Sequence, residues 1–388
     1  MSHALYPIPE QPTDADGRPR TAAVSVVTAR RVDPNSPSSP APVRRPPGSA
    51  TDRRRAFDEA KALYEAGVSI ARDNPLSAVA HFLQAAHMFE EVHGQDKNRD
   101  KSLWQAGVCY GRVGYNLRLR RDWDGAREAF RDALELFTAI RDVEKEATTL
   151  YQLSLVSSDV LSASELLKKA ALIYSDLDDE VREAMCLAEL GNLFGKREKD
   201  LASSLFHWRQ ALLLYLKIGD KEKEARALYS IGEILVRSDR QAAHDHFLQA
   251  KAVFQHLGGK SAKWFGNCSY QLGKLCVAEK AFPAAVEHFE EACTVFRNIE
   301  LETDEAWALY RLALVMLKVD SRDLAIDYLT EARRLFAEVG NERQAEGSCL
   351  LRLGEIFKHT NPDMAKTLLE EVGSPSQILR STINEGRY

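Results

Sequence analysis

The fold is decided by the stretch Glu222–Phe254, EKEARALYSIGEILVRSDRQAAHDHFLQAKAVF. Small and apolar residues recur in it at spacings of three, four and seven, which is the spacing of one face of an α-helix. The polar turn SDRQ interrupts the pattern and divides the stretch into two helices. The residues of the two faces are Ala225, Leu228, Ile231 and Gly232, and then Ala243, Phe247, Ala250 and Phe254. A small residue beside a large one on both faces predicts two helices that approach closely and interlock.

The same hairpin recurs along the chain about every 40 residues. Its first helix carries a small marker residue, and the intervals between markers run from 37 to 41 residues after a first interval of 47. The first-helix markers are Gly67, Gly114, Ser154, Gly191, Gly232, Gly273, Ala313 and Gly354. The second helix carries an alanine with large residues three before and four after it. The second-helix alanines are Ala85, Ala133, Ala170, Ala211, Ala250, Ala292 and Ala332.

A single hairpin of this kind cannot bury its own apolar face, so it needs a neighbour of the same shape. The sequence therefore predicts an all-α fold, a right-handed α-solenoid of about eight helical hairpins over residues 53–373. The hairpins are expected to form one elongated unit, stabilised by contacts between nearest neighbours.

The pattern resembles the tetratricopeptide repeat (TPR), with a small residue near position 8, alanine near 20 and 27, and a large apolar residue near 24. Linkers such as KIGDKEKEA (Lys217–Ala225) make the period longer than the common 34-residue repeat. This long form is similar to the repeats of the Pins/LGN polarity adaptors and kinesin light chain. The resemblance implies a regulatory adaptor.

The two ends of the chain differ from the repeats. Residues 1–52 hold ten of the fourteen prolines and few large apolar residues. Such a segment buries too little surface to offset the entropy of ordering, so we expect a disordered tail. Residues 374–388 show no clear periodicity and are expected to form a C-terminal tail.

Composition and motifs exclude several classes of function. The formal net charge of −5 offers no general attraction for nucleic acid. No apolar run approaches the ~20 residues that a transmembrane helix needs. Six scattered cysteines without a CxxC pair are typical of reduced thiols, which favours a cytoplasmic protein, with a nuclear or cytoskeleton-associated location also open. No nucleotide-binding, metalloprotease or hydrolase motif is present, so we expect no catalytic residue, metal or cofactor.

Candidate binding residues come from the first helices, which line the concave face of a TPR-like solenoid. Five of the eight residues that lie three before the markers are tyrosines: Tyr64, Tyr151, Tyr229, Tyr270 and Tyr310. Neighbouring positions add Tyr115, Asn192, Arg226, Asn267, Lys274 and Trp307. Tyrosine combines a broad apolar ring with a hydrogen-bonding tip, and an amide side chain can hold a peptide backbone.

These tyrosines allow two interpretations. Core packing does not require a phenol at this position if the aromatic residues of the second helices already fill the core, and the rings are then free to contact a ligand. Alternatively, the rings pack between adjacent first helices and only close the groove. The first interpretation predicts that Tyr229 and Tyr310 face a hollow.

Two functions follow from these patterns. The first is a scaffold or adaptor that binds an extended or helical peptide segment of a partner protein. The positions that match the lysine–asparagine clamp of chaperone-binding TPRs hold Tyr64 and Val68, and Tyr270 and Lys274, so we expect no binding of Hsp70 or Hsp90 tails. The second is a membrane-trafficking factor similar to the soluble NSF attachment proteins, which hold helical bundles by charged edges.

Overall fold

The computed structural model describes residues 49–92, 99–340 and 342–371. These residues form sixteen α-helices and no β-strand, which confirms the predicted all-α fold of helical hairpins. The helices are α1 (Ala50–Ile70), α2 (Pro75–Val92), α3 (Arg99–Leu119), α4 (Trp123–Ala139), α5 (Val143–Leu155), α6 (Val160–Asp176), α7 (Glu180–Leu193), α8 (Leu201–Ile218), α9 (Lys221–Leu235), α10 (Arg240–Leu257), α11 (Ala262–Ala278), α12 (Phe282–Asn298), α13 (Glu302–Lys318), α14 (Arg322–Val339), α15 (Arg343–Phe357) and α16 (Pro362–Glu371).

The helices belong to two compact units, whereas the sequence predicted a single elongated one. Unit 1 comprises the described residues up to 173, and unit 2 those from 174 onwards. In unit 1, each helix from α1 to α5 packs against the next, and in unit 2 the same holds from α7 to α16. The division falls within α6.

The first helix begins at Ala50, three residues before the predicted start of the repeats. A capping box explains this earlier start: the Ser49 hydroxyl accepts from the backbone N–H of Asp52 at 3.1 Å, and the Asp52 carboxylate accepts from the N–H of Ser49 at 3.3 Å. The rest of the predicted N-terminal tail, residues 1–48, lies outside the described residues, as does the predicted C-terminal tail.

The core of each hairpin is the contact between the small marker and a large residue of the second helix. Phe247, Ala250 and Phe254 are fully buried, and a Cβ atom added to Gly232 would lie 2.8 Å from the Phe247 ring. Gly273 has the same relation to Phe289, again at 2.8 Å. Because the ring occupies the space of the missing side chain, glycine permits the closest approach of the two helices. The predicted alternation of small and large residues is confirmed.

Short turns join many of the helices through a common two-residue joint. The first residue of the joint has a left-handed backbone and the second is an aspartate that caps the next helix. At Gly219–Asp220, the Asp220 N–H donates to the carbonyl of Tyr215 at 3.1 Å, and its carboxylate accepts from the N–H of Lys223 at 3.1 Å. The same joint occurs at Arg121–Asp122, Arg141–Asp142, Asp178–Asp179 and Lys199–Asp200. It satisfies the end groups of both helices within two residues.

Candidate functional site

In unit 2, consecutive first helices contact each other through polar side chains. Gln271 on α11 donates to the Tyr229 hydroxyl on α9 at 3.2 Å. Arg311 on α13 donates through Nε to the Tyr270 hydroxyl on α11 at 3.3 Å. The Tyr310 hydroxyl on α13 is hydrogen-bonded to Arg352 on α15. We call the surface formed by α7, α9, α11, α13 and α15 the first-helix face of unit 2.

Tyr229 is part of the core rather than a freely exposed ring. It is 8% exposed, and its ring packs edge-on against Phe247 and Trp264, with both centroid distances at 5.4 Å. Only its hydroxyl makes polar contacts. The hydroxyl donates to Glu233 Oε1 at 3.2 Å and accepts from Gln271. The ring therefore stabilises the contact between two repeats.

Tyr310 is also buried, with 4% of its surface exposed. Trp307 covers it at a centroid distance of 6.0 Å and in turn packs on Phe336 at 5.2 Å. The expectation that the core does not require a phenol at these positions is wrong for Tyr229 and Tyr310. The reason is that an indole, Trp264 for one and Trp307 for the other, packs over the phenol ring.

Tyr270 differs from its two equivalents because it is only half-buried. One side of its ring packs on Phe289 at 5.7 Å. The ammonium of Lys274 lies 5.8 Å from the ring centroid, and the hydroxyl accepts from Arg311. Of the three tyrosines predicted on α9, α11 and α13, Tyr270 has the largest area available to a ligand.

The other predicted residues of unit 2 are half-buried on the same face. Asn192 is hydrogen-bonded to Glu189. Arg226 stacks over the Trp264 ring at 5.1 Å and pairs with Glu222 at 2.8 Å. Asn267 on α11 is half-buried and lies on the helix that carries Tyr270.

The predicted residues of unit 1 form a separate group. Tyr64 is half-buried against Phe82, with 5.6 Å between ring centroids, and Tyr151 is half-buried on α5. Tyr115 is 41% exposed, and the Arg118 guanidinium lies 5.3 Å from its ring. The predicted set is thus divided between two units, and only the unit 2 members share one described face.

The charge of the first-helix face changes along unit 2. Glu189 on α7 and Glu233 on α9 are acidic, and burial raises the pKa of both carboxyls above its ordinary value. Lys274, Arg311 and Arg352 on the next three first helices are basic. Loss of hydration, followed by the repulsion of Arg311, lowers the pKa of Lys274. These five charged positions of the face therefore change from acidic on α7 and α9 to basic on α11, α13 and α15.

One repeat position on this face, the residue that lies two before each small marker, was not identified from the sequence. Glu189, Gln271, Arg311 and Arg352 each lie two residues before a small marker, and the last three supply hydrogen bonds between first helices. Their shared position in the repeat is the sequence signal that could have identified them. It was weak because the residue types at that position vary from acidic through amide to basic.

Comparison with known proteins supports the fold. The family model described as soluble NSF attachment protein, SNAP, matches residues 140–302, which is less than half of the chain. No curated protein sequence matches.

Several solved structures are similar in fold. The apo form of RapI superposes with a TM-score of 0.60 at 14% identity, covering 82% of this chain and 86% of its own. A signal-transduction ATPase with a tetratricopeptide repeat sensor, from Pyrococcus horikoshii, gives 0.57 at 16% identity and 87% coverage, and this chain spans only 55% of it. The apo form of the quorum sensor NprR from B. thuringiensis gives 0.51 at 13% identity, covering 86% of this chain and 98% of its own. Together with the hairpins and their markers, these similarities show a TPR-type helical-repeat fold.

Every helix in the described ranges is too short or too polar to cross a membrane.

Proposed function

We propose that this chain is an interaction scaffold or adaptor that binds a peptide segment of a partner protein along the first-helix face of unit 2. The observation that carries the proposal is the character of that face. Half-buried aromatic, amide and charged side chains follow one another along this face, and from α9 to α15 they contact each other from helix to helix. A surface of this kind offers apolar area and hydrogen-bonding groups to an extended or helical peptide.

The fold agrees with this function. Stacked helical repeats commonly bind their ligands on the face lined by one set of helices. Two of the similar structures are described as a tetratricopeptide repeat sensor and a quorum sensor. The proposal assigns the chain no enzymatic activity, no nucleic acid partner and no chaperone tail, and it places the protein in the cytoplasm.

A photo-crosslinking experiment tests this function. A benzophenone amino acid replaces Asn267, which is half-buried on α11, and in a control replaces Gln255, which is exposed on α10. After irradiation in a cell lysate, we expect discrete adducts from position 267 and none from position 255. Adducts of equal intensity from both positions, or from position 255 alone, would contradict binding at the first-helix face.

A second candidate function rests on the family model. The match to soluble NSF attachment proteins over residues 140–302 favours a trafficking factor that holds a bundle of helices. Such a protein should co-elute with a purified SNARE-type four-helix bundle in gel filtration. Separate elution at micromolar concentrations of both components would remove this candidate.

A further inference from the structure

Two neighbouring cations on the first-helix face of unit 2 form no direct salt bridge within the described residues. Lys274 and Arg311 are half-buried on α11 and α13, and neither forms an ion pair there. They are brought together by Tyr270: Lys274 lies over its ring, and Arg311 donates to its hydroxyl.

Other half-buried cations of unit 2 are neutralised. Lys251 pairs with Glu291, and Arg226 pairs with Glu222 at 2.8 Å. Arg333 pairs with Glu371 at 2.6 Å. A partly buried charge without a counter-ion is costly because it loses hydration without gaining a partner. Lys274 and Arg311 therefore lack the direct ion pair that these other half-buried cations have.

The surroundings of the two cations define the anion that they would accept. Arg311 offers a planar set of N–H donors, most of them free beyond the bond to Tyr270, and Lys274 offers a compact point charge. Glu233 on α9 is a carboxylate that acts electrostatically on Lys274. It disfavours a dianion such as a phosphate group more strongly than the single charge of a carboxylate.

We propose that Lys274 and Arg311 bind an aspartate or glutamate side chain of the partner peptide, with Tyr270 packing beside it. This inference rests on the proposed function and assigns the class of segment that the face accepts. The acidic residue is expected near the α11–α13 end of the bound peptide. The acidic α7–α9 end then disfavours a second acidic residue at the opposite end of the segment.

Selection from a random peptide library tests the proposal. Unphosphorylated 12-residue peptides displayed on phage are selected with the wild-type chain, with K274Q/R311Q, and with the control R322Q/K366Q. The control removes the same charge from the exposed side chains of α14 and α16. We expect wild type and control to select peptides enriched in Asp and Glu, and K274Q/R311Q to lose that enrichment.

A selected peptide is then measured directly by fluorescence anisotropy. Replacing its acidic residue by the matching amide should weaken binding to wild type by about tenfold and leave binding to K274Q/R311Q unchanged. Circular dichroism of the variants checks that the helices are intact.

The outcomes separate the two claims. Peptides that bind the first-helix face without acidic enrichment would overturn the anion site and leave the scaffold function standing. The absence of any selected peptide would overturn both. Persistence of the enrichment in K274Q/R311Q would likewise overturn the anion site.

Discussion

Tyr229 and Tyr270 occupy equivalent positions in adjacent repeats, yet the structure uses them differently. Trp264, from the start of the next first helix, covers the ring of Tyr229. Tyr270 has no tryptophan in the corresponding position, since Glu305 stands there, and its ring is left half-buried beside Lys274. The repeat position thus fixes where a side chain lies on the helix, while the neighbouring repeat decides whether that side chain is core or surface.

The largest expected effect is a difference between these two tyrosines in the free energy of unfolding lost on substitution by alanine. Tyr229→Ala should lower the free energy of unfolding by about 3–5 kcal/mol, because it empties a buried ring site. Tyr270→Ala should cost about 1–2 kcal/mol, because part of its ring is already in contact with water. Urea unfolding followed by circular dichroism measures both, with midpoints compared at matched slopes. Equal losses would show that the two rings are equally part of the core.

Substitution of the markers beneath the two tyrosines should show no such difference. Gly232→Ala and Gly273→Ala each place a Cβ atom 2.8 Å from a phenylalanine ring, so each should cost about 1–3 kcal/mol through overpacking. Ala313, where the second helix offers Leu329 instead of phenylalanine, shows that the position accepts a methyl group when the partner is smaller. Thermal unfolding of the two glycine variants checks the expectation, and a loss confined to one of them would contradict a shared core.

A smaller effect distinguishes the two hydroxyls. Tyr229→Phe removes a buried hydroxyl that bonds both Glu233 and Gln271, and should cost about 1 kcal/mol. Tyr270→Phe removes a hydroxyl that bonds only Arg311 at a site open to water, and should cost less than half as much. Chemical denaturation of both variants gives the comparison. A greater cost at Tyr270 would mean that its bond to Arg311 is a structural contact rather than part of a binding surface.

The smallest effect is pH-dependent. The pKa of Glu233 is raised in the folded state, chiefly by burial, so the protonated form favours folding and the stability contributed by this group is lost as the pH rises through its folded pKa. Glu233→Gln should therefore raise the unfolding midpoint slightly at pH 7, and the difference from wild type should vanish near pH 4. Glu355→Gln, an exposed control on α15, should leave the unfolding midpoint unchanged at both pH values. A gain that persists at pH 4 would point to a cause other than ionisation.

The sequence predicted the features that depend on contacts within one hairpin. The pairing of Gly232 with Phe247 and of Gly273 with Phe289 could be predicted because both members recur with the period of the repeat. The position of the tyrosines on the first helices could be predicted for the same reason.

Contacts between repeats were harder to predict. The packing of Trp264 on Tyr229 depends on a single residue of the next repeat that does not recur in every copy. The packing of Trp307 on Tyr310 lies within α13 itself, but it too depends on a residue that does not recur in every copy. The hydrogen bond of Arg311 to Tyr270 was not predicted. A search for repeats detects positions that hold similar residues in every copy, whereas the residue two before the marker changes in charge from repeat to repeat. The division into two units, which falls within α6, was not predicted from the sequence.

The two-residue joints affect how a repeat protein of this kind can be lengthened. Asp178–Asp179 and Gly219–Asp220 hold the backbone in the same conformation, and the residues between them contain the whole α7–α8 hairpin. A segment bounded by matching joints behaves as a cassette, since a tandem duplication reproduces the connection that was already present. Gene duplication or recombinant assembly can therefore lengthen unit 2 by one hairpin at a time, and each added copy extends the first-helix face by one helix.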